Sequence, residues 1–93
     1  MTIKEATRRE SYELLDRETA YKHIIDVLVT GVELTAREIA IELHEKKLIP
    51  YPVRQAVAPR LTELESVGIV EVTGKAYDVE TKRKVAVYKL VGV

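Results

Sequence analysis

The sequence contains no cysteine, which excludes disulfide bridges, thiolate metal sites and a cysteine nucleophile together. It has no apolar run approaching the roughly 18 residues of a membrane-spanning helix. Met1-Thr2-Ile3-Lys4-Glu5 is polar, so no signal peptide is expected. Internal repeats and low-complexity segments are also missing. So is net charge, since 15 Lys and Arg balance 15 Asp and Glu. With 93 residues, the chain can bury about 60–65% of its extended surface, enough for one modest core. At that size a two-domain enzyme with an interdomain cleft is not expected. What is present is ordinary for a globular domain: 46% hydrophobic and 32% charged residues. A cytoplasmic location is expected.

The zero total hides an asymmetry. Residues 1–43 carry a balance of −3 and residues 44–93 a balance of +3. A polyanion responds to local potential and not to the total, so a neutral chain with a basic half can still present a basic face.

Apolar spacing defines the elements. Tyr21, Ile24, Ile25 and Leu28 recur at helical intervals, with Gly31 at the expected end. Thr35-Ala36-Arg37-Glu38 matches a capping box, in which the Thr35 hydroxyl accepts from the Glu38 amide while Glu38 reaches back. Behind it, Ala36, Ile39, Ala40 and Leu43 lie on one face of a second helix. After the Pro50-Tyr51-Pro52 corner, Val53, Val57, Leu61, Leu64 and Val67 predict a third helix ended by Gly68. Pro59 lies inside it and cannot donate to the Gln55 carbonyl, so either a kink or a short turn with a restart near Pro59 is expected. Residues 69–73 and 84–91 are rich in β-branched and aromatic side chains and read as two strands, with a protruding tip over residues 74–83. The expected class is α+β, mostly α: three helices and a C-terminal hairpin over residues 20–93, preceded by a helical extension over 1–19. Tyr12 and Leu15 of that extension would point away from the stripe of Tyr21, Ile25 and Leu28 if one helix ran unbroken. Either the chain breaks near Asp16 or those two side chains meet a partner, and the segment is the candidate homodimer surface.

Three helices followed by a hairpin is the order of a winged helix-turn-helix domain, and several segments resemble that family over residues 20–91. Leu34-Thr35-Ala36-Arg37-Glu38-Ile39-Ala40 looks like the start of its second helix. Leu61-Thr62-Glu63-Leu64-Glu65-Ser66-Val67-Gly68-Ile69-Val70 resembles a recognition helix running into a wing strand, as in the MarR-like group. Val57 to Leu61 and Lys84 to Tyr88 are similar to small winged-helix proteins of phages and prophages. Two features depart from the family pattern: the connection Lys47 to Pro52 exceeds the usual turn of 3–4 residues, and Pro59 interrupts the recognition helix.

The resemblance implies sequence-specific binding of double-stranded DNA, as a transcriptional regulator, with the third helix in the major groove and the wing on the backbone. On that helix Gln55, Ala58, Pro59 and Thr62 would face outward, with Arg54 on one flank; Arg and Gln suit guanine and adenine, and Thr can touch a thymine methyl. Tyr51 at the preceding corner is a further candidate contact. Lys75, Lys82, Arg83 and Lys84 on the hairpin would grip phosphates, although charged hairpin tips also serve solubility. Thr35 and Arg37, at the positive end of the second helix, are phosphate candidates or simply a cap and a solvated Arg. Arg60 is expected in an ion pair with a glutamate on the second helix.

Enzyme signals are absent. His23 and His44 lack metal-ligand spacing, and Glu63 and Glu65 do not share a face. No cofactor, metal or small-molecule ligand is expected. The zero net charge supports a second reading, a winged-helix protein–protein interaction module in a replication, transcription or phage assembly complex.

Overall fold

Thr35 and Glu38 form the capping box that their spacing predicts. The Glu38 amide donates to Thr35 Oγ1 at 3.2 Å, and Glu38 Oε1 accepts from the Thr35 amide at 2.9 Å. These bonds satisfy amides that a helix start leaves without intrahelical partners, and the helix behind them, α2 (Ala36–Glu45), buries Ala36, Ile39, Ala40 and Leu43 as expected. A computed structural model describes residues 17–92. The proposed dimer residues Tyr12 and Leu15, and most of the expected extension, lie outside the described residues.

Described residues 17–28 are helical (α1) and contribute Ile24, Val27 and Leu28 to the core. The helix gives way to a turn in which the Gly31 amide donates to the Leu28 carbonyl at 3.0 Å, with Gly31 at φ 88°. The core is completed by Val57, Leu61 and Leu64 together with Val70 and Leu90 of the sheet.

The third helix is shorter than its apolar stripe predicts. A 3₁₀ turn spans Arg54–Ala56, and α3 then runs over Ala58–Ser66. The restart expected near Pro59 is therefore found. With Pro59 in the first helical turn, its missing amide costs no intrahelical bond. Val53, ahead of the 3₁₀ turn, and Val67, past the end of α3, therefore fall outside the core, at 43% and 68% exposure, and Arg54 and Gln55 sit on the 3₁₀ turn and not on the helix. α3 ends in a Schellman motif: Gly68 donates to the Glu65 carbonyl at 3.0 Å and Ile69 to the Leu64 carbonyl at 2.9 Å.

The hairpin is longer and its tip shorter than expected. β2 (Val70–Asp78) and β3 (Arg83–Leu90) pair antiparallel, leaving only residues 79–82 as the turn. A bulge between Val72 and Gly74 shifts the register and lets β2 continue through Gly74-Lys75-Ala76-Tyr77-Asp78, where no β-branched pattern marks a strand. A two-residue strand, β1 (Leu34–Thr35), pairs Leu34 with Tyr88 and Thr35 with Val87, giving the order β1-β3-β2. The result is a small α+β domain with a three-stranded antiparallel sheet.

The end of α2 repeats the Schellman pattern without a glycine. Lys47 sits at φ 62° and donates to the His44 carbonyl at 2.9 Å, while Leu48 donates to the Leu43 carbonyl at 2.9 Å. A side chain in the left-handed region carries a steric cost. Lys47→Gly is expected to stabilise the domain by about 0.5–1 kcal/mol, seen as a higher urea midpoint with an unchanged slope.

Candidate nucleic-acid interface

β1 covers β3 only at Val87 and Tyr88. Towards the tip, residues 83–86 border a cleft of about 520 Å³ against the start of α2 and the 3₁₀ turn. Four consecutive residues of β3, Arg83, Lys84, Val85 and Ala86, line it, because the cleft runs along the edge of the strand. Ala36 and Arg37 come from α2, Arg54 from the 3₁₀ turn, and Asp78 and Thr81 from the end of the hairpin. A smaller hollow of about 260 Å³ adjoins it, in which Val53, Arg54 and Gln55 face Arg37, Glu80 and Thr81. The hairpin turn and the 3₁₀ turn thus stand opposite each other.

The cations here divide into two kinds. Arg37 is committed: its Nε lies 2.9 Å from Asp78 Oδ1, its Nη2 donates to Oδ2 at 3.4 Å, and its Nη1 is 3.1 Å from Glu80 Oε2. The sequence offers Arg37 either as a phosphate candidate or as a solvated side chain; in the fold its guanidinium is paired with two carboxylates of the hairpin turn. Arg54, Arg83 and Lys84 have no ion-pair partner among the described residues. They leave the cleft with a surplus of positive charge, because its one lining carboxylate, Asp78, is neutralised by Arg37. Tyr88 lines the same cleft; burial raises its phenol above the ordinary value, helped by the charge of Glu65.

The remaining expected contacts divide as well. Gln55 is exposed and lines the smaller hollow. Thr35 is buried as the cap, its hydroxyl oxygen accepting from the Glu38 amide. Ala58 packs against the core. Thr62 is exposed, with its hydroxyl donating to the Ala58 carbonyl at 3.2 Å. Tyr51, Lys75 and Lys82 are exposed and line neither hollow. Lys75 sits opposite Ala86, and Lys82 adopts φ 55° in the turn while its amide donates to the Asp78 carbonyl at 2.8 Å.

Arg60 forms an ion pair, but with Glu63 of its own helix at 2.8 Å and not with a glutamate of α2. Position i+3 lies directly beside it on the helix surface. Glu63 also accepts from the Tyr21 hydroxyl, tying α3 to α1. That hydrogen bond raises the Tyr21 phenol above its ordinary value, reinforced by burial and the charge of Glu63.

Asp78 is a site residue that the sequence analysis does not single out. It is 8% exposed, accepts from Thr81 Oγ1 at 3.0 Å and from the Glu80 amide at 3.3 Å, and meets the Arg37 fork. Its local signal is legible: an Asp accepting from the amide two residues on is an Asx-turn.

Among the described residues no group of three or more His, Asp or Glu could hold a metal ion, and no helix is long and apolar enough to cross a membrane. Burial pushes the Asp78 carboxyl up, but hydrogen bonds from Arg37, Thr81 and the Glu80 amide, with the charge of Arg37, outweigh it and hold the group below its ordinary value. A carboxyl lowered on folding contributes stability at neutral pH that is lost as pH falls through its folded value. The melting temperature is therefore expected to drop below about pH 4. Asp78→Asn should melt lower at pH 7 and show a shallower acid limb, measured by circular dichroism. Comparison with family models, with curated proteins and with solved structures finds no match.

Proposed function

We propose that this chain is a winged-helix domain that binds double-stranded DNA through the cleft between the 3₁₀ turn and β3, acting as a transcriptional regulator. The observation that carries this reading is the convergence of Arg54, Arg83 and Lys84, all without acidic partners among the described residues, on one cleft, with Gln55 lining the adjoining hollow. Cations on separate elements that share one face form an electrostatic footprint for a phosphate backbone. The order helix, short strand, helix, helix, hairpin, with β1 paired to β3, supports the winged-helix architecture.

Base contacts fall to the 3₁₀ turn in this reading. α3 carries two acids, Glu63 and Glu65, against one cation, Arg60, which is paired to Glu63. A helix of that charge does not enter a groove lined by phosphates on its own. Arg54 and Gln55 stand ahead of it, with the fork and amide chemistry that recognise guanine and adenine edges. Arg83 and Lys84 then supply backbone contacts, which position the protein without reading sequence.

The exposed apolar side chains Val67, Ile69 and Val91, at the opposite end of the sheet from the turn, favour a second reading as a protein-interaction module. A salt titration separates the two. A labelled random duplex should bind at low salt and weaken as salt rises. The Arg54/Arg83/Lys84→Ala variant should lower the log–log slope by about 0.9 for each phosphate it no longer neutralises. Gln55→Ala should relax base preference with little effect on the random duplex. Absence of binding at low salt, or an unchanged slope in the triple variant, contradicts the DNA reading and leaves the interaction module.

A further inference from the structure

Two mechanical facts about the hairpin bear on how its tip is held. Its base is three-stranded, because β1 pairs with Val87 and Tyr88, but beyond the bulge at residues 72–74 only β2 and β3 remain. A two-stranded ribbon has little stability or stiffness of its own, and the bulge with Gly74 is where it would bend. The far end is tied down. Among the described residues, the hydrogen bonds and ion pairs joining residues 78–82 to the helices all run through Arg37. The carboxylate that receives Arg37 is nearly buried, and it also gathers the turn through Thr81 and the Glu80 amide. Such a carboxylate is tolerated because its acceptor capacity is used. Glu80, by contrast, is 74% exposed at its side chain and makes a single contact to the same guanidinium.

We propose that the Arg37–Asp78 pair is the positioning element of this interface, a clamp that holds the wing turn against the start of α2 and thereby sets the separation between Arg83 and Lys84 on one wall and Arg54 and Gln55 on the other. This rests on the DNA reading of the cleft. Arg37 acts through the wing and contributes no phosphate contact of its own.

The test uses the sign of a charge effect. Asp78→Asn and Glu80→Gln each remove one negative charge from the same turn, so Coulomb attraction alone makes both bind DNA more tightly. The clamp predicts a split: Glu80→Gln binds as wild type or about 2-fold tighter, whereas Asp78→Asn binds about 5–10-fold more weakly despite its extra positive charge. Arg37→Lys, which keeps the charge but loses the planar fork, should also weaken binding. Amide hydrogen exchange in the free protein provides a readout independent of DNA. Glu80 and Lys82 amides should exchange at least about 10-fold faster in Asp78→Asn while Ile39 and Leu61 are unchanged. Asp78→Asn binding as tightly as Glu80→Gln overturns the positioning role. Unchanged turn exchange overturns the clamp whatever the DNA result. Faster exchange with no duplex bound even by wild type overturns the DNA reading instead.

Discussion

The ion pair between Arg37 and Asp78 joins residues 41 apart in sequence and ties the far end of the hairpin to the helices. Arg37 is placed by the capped first turn of α2, whose direction Thr35 and Glu38 set and whose buried face Ala36, Ile39, Ala40 and Leu43 lock onto the core. Asp78 is placed by a β2 register that resumes after the bulge. A rigid helix start and a ribbon end therefore meet through one guanidinium, and the cleft is the space they enclose. A nearly buried carboxylate that lost its partner would carry an uncompensated charge, so the contact is strict about its geometry in a way that a surface pair is not.

Charge in this domain is organised by position. The chain sums to zero, yet the two carboxylates at the hairpin end, Asp78 and Glu80, are paired with Arg37, and Glu63 of α3 is engaged with Arg60 and Tyr21. What remains unpaired along β3 and the 3₁₀ turn, among the described residues, is cationic. A polyanion meeting this surface senses that local surplus over about a Debye length, roughly 8–10 Å at moderate salt. Neutral composition is thus no obstacle to the proposed role.

The parts of the fold legible in the sequence are those encoded by short-range pattern. α2 is announced by its capping box and by apolar residues at i, i+3, i+4 and i+7, and all four are buried. α3 is legible in its core face and in its restart near Pro59 but not in its length, because Val53 and Val67 continue the stripe numerically while lying outside the helix. β2 runs further than expected because Gly74, Lys75 and Asp78 are poor strand formers held by pairing to β3. β1 has two residues, too few for any period to show. At the site, residue type and order single out Arg54, Gln55, Arg83 and Lys84, and the fold gathers them around adjoining hollows. The partner of Arg37 lies at a separation that no local pattern reports, and Arg60 is misread because it pairs with a glutamate of its own helix.

A duplex would enter between the 3₁₀ turn and the hairpin edge. Backbone amide shifts recorded while a random duplex is titrated into labelled protein test that placement most directly. The account predicts perturbations concentrated at Arg54, Gln55 and residues 81–86, saturating together. Shifts confined to Val67, Ile69 and Val91, or none at saturating duplex, would contradict it.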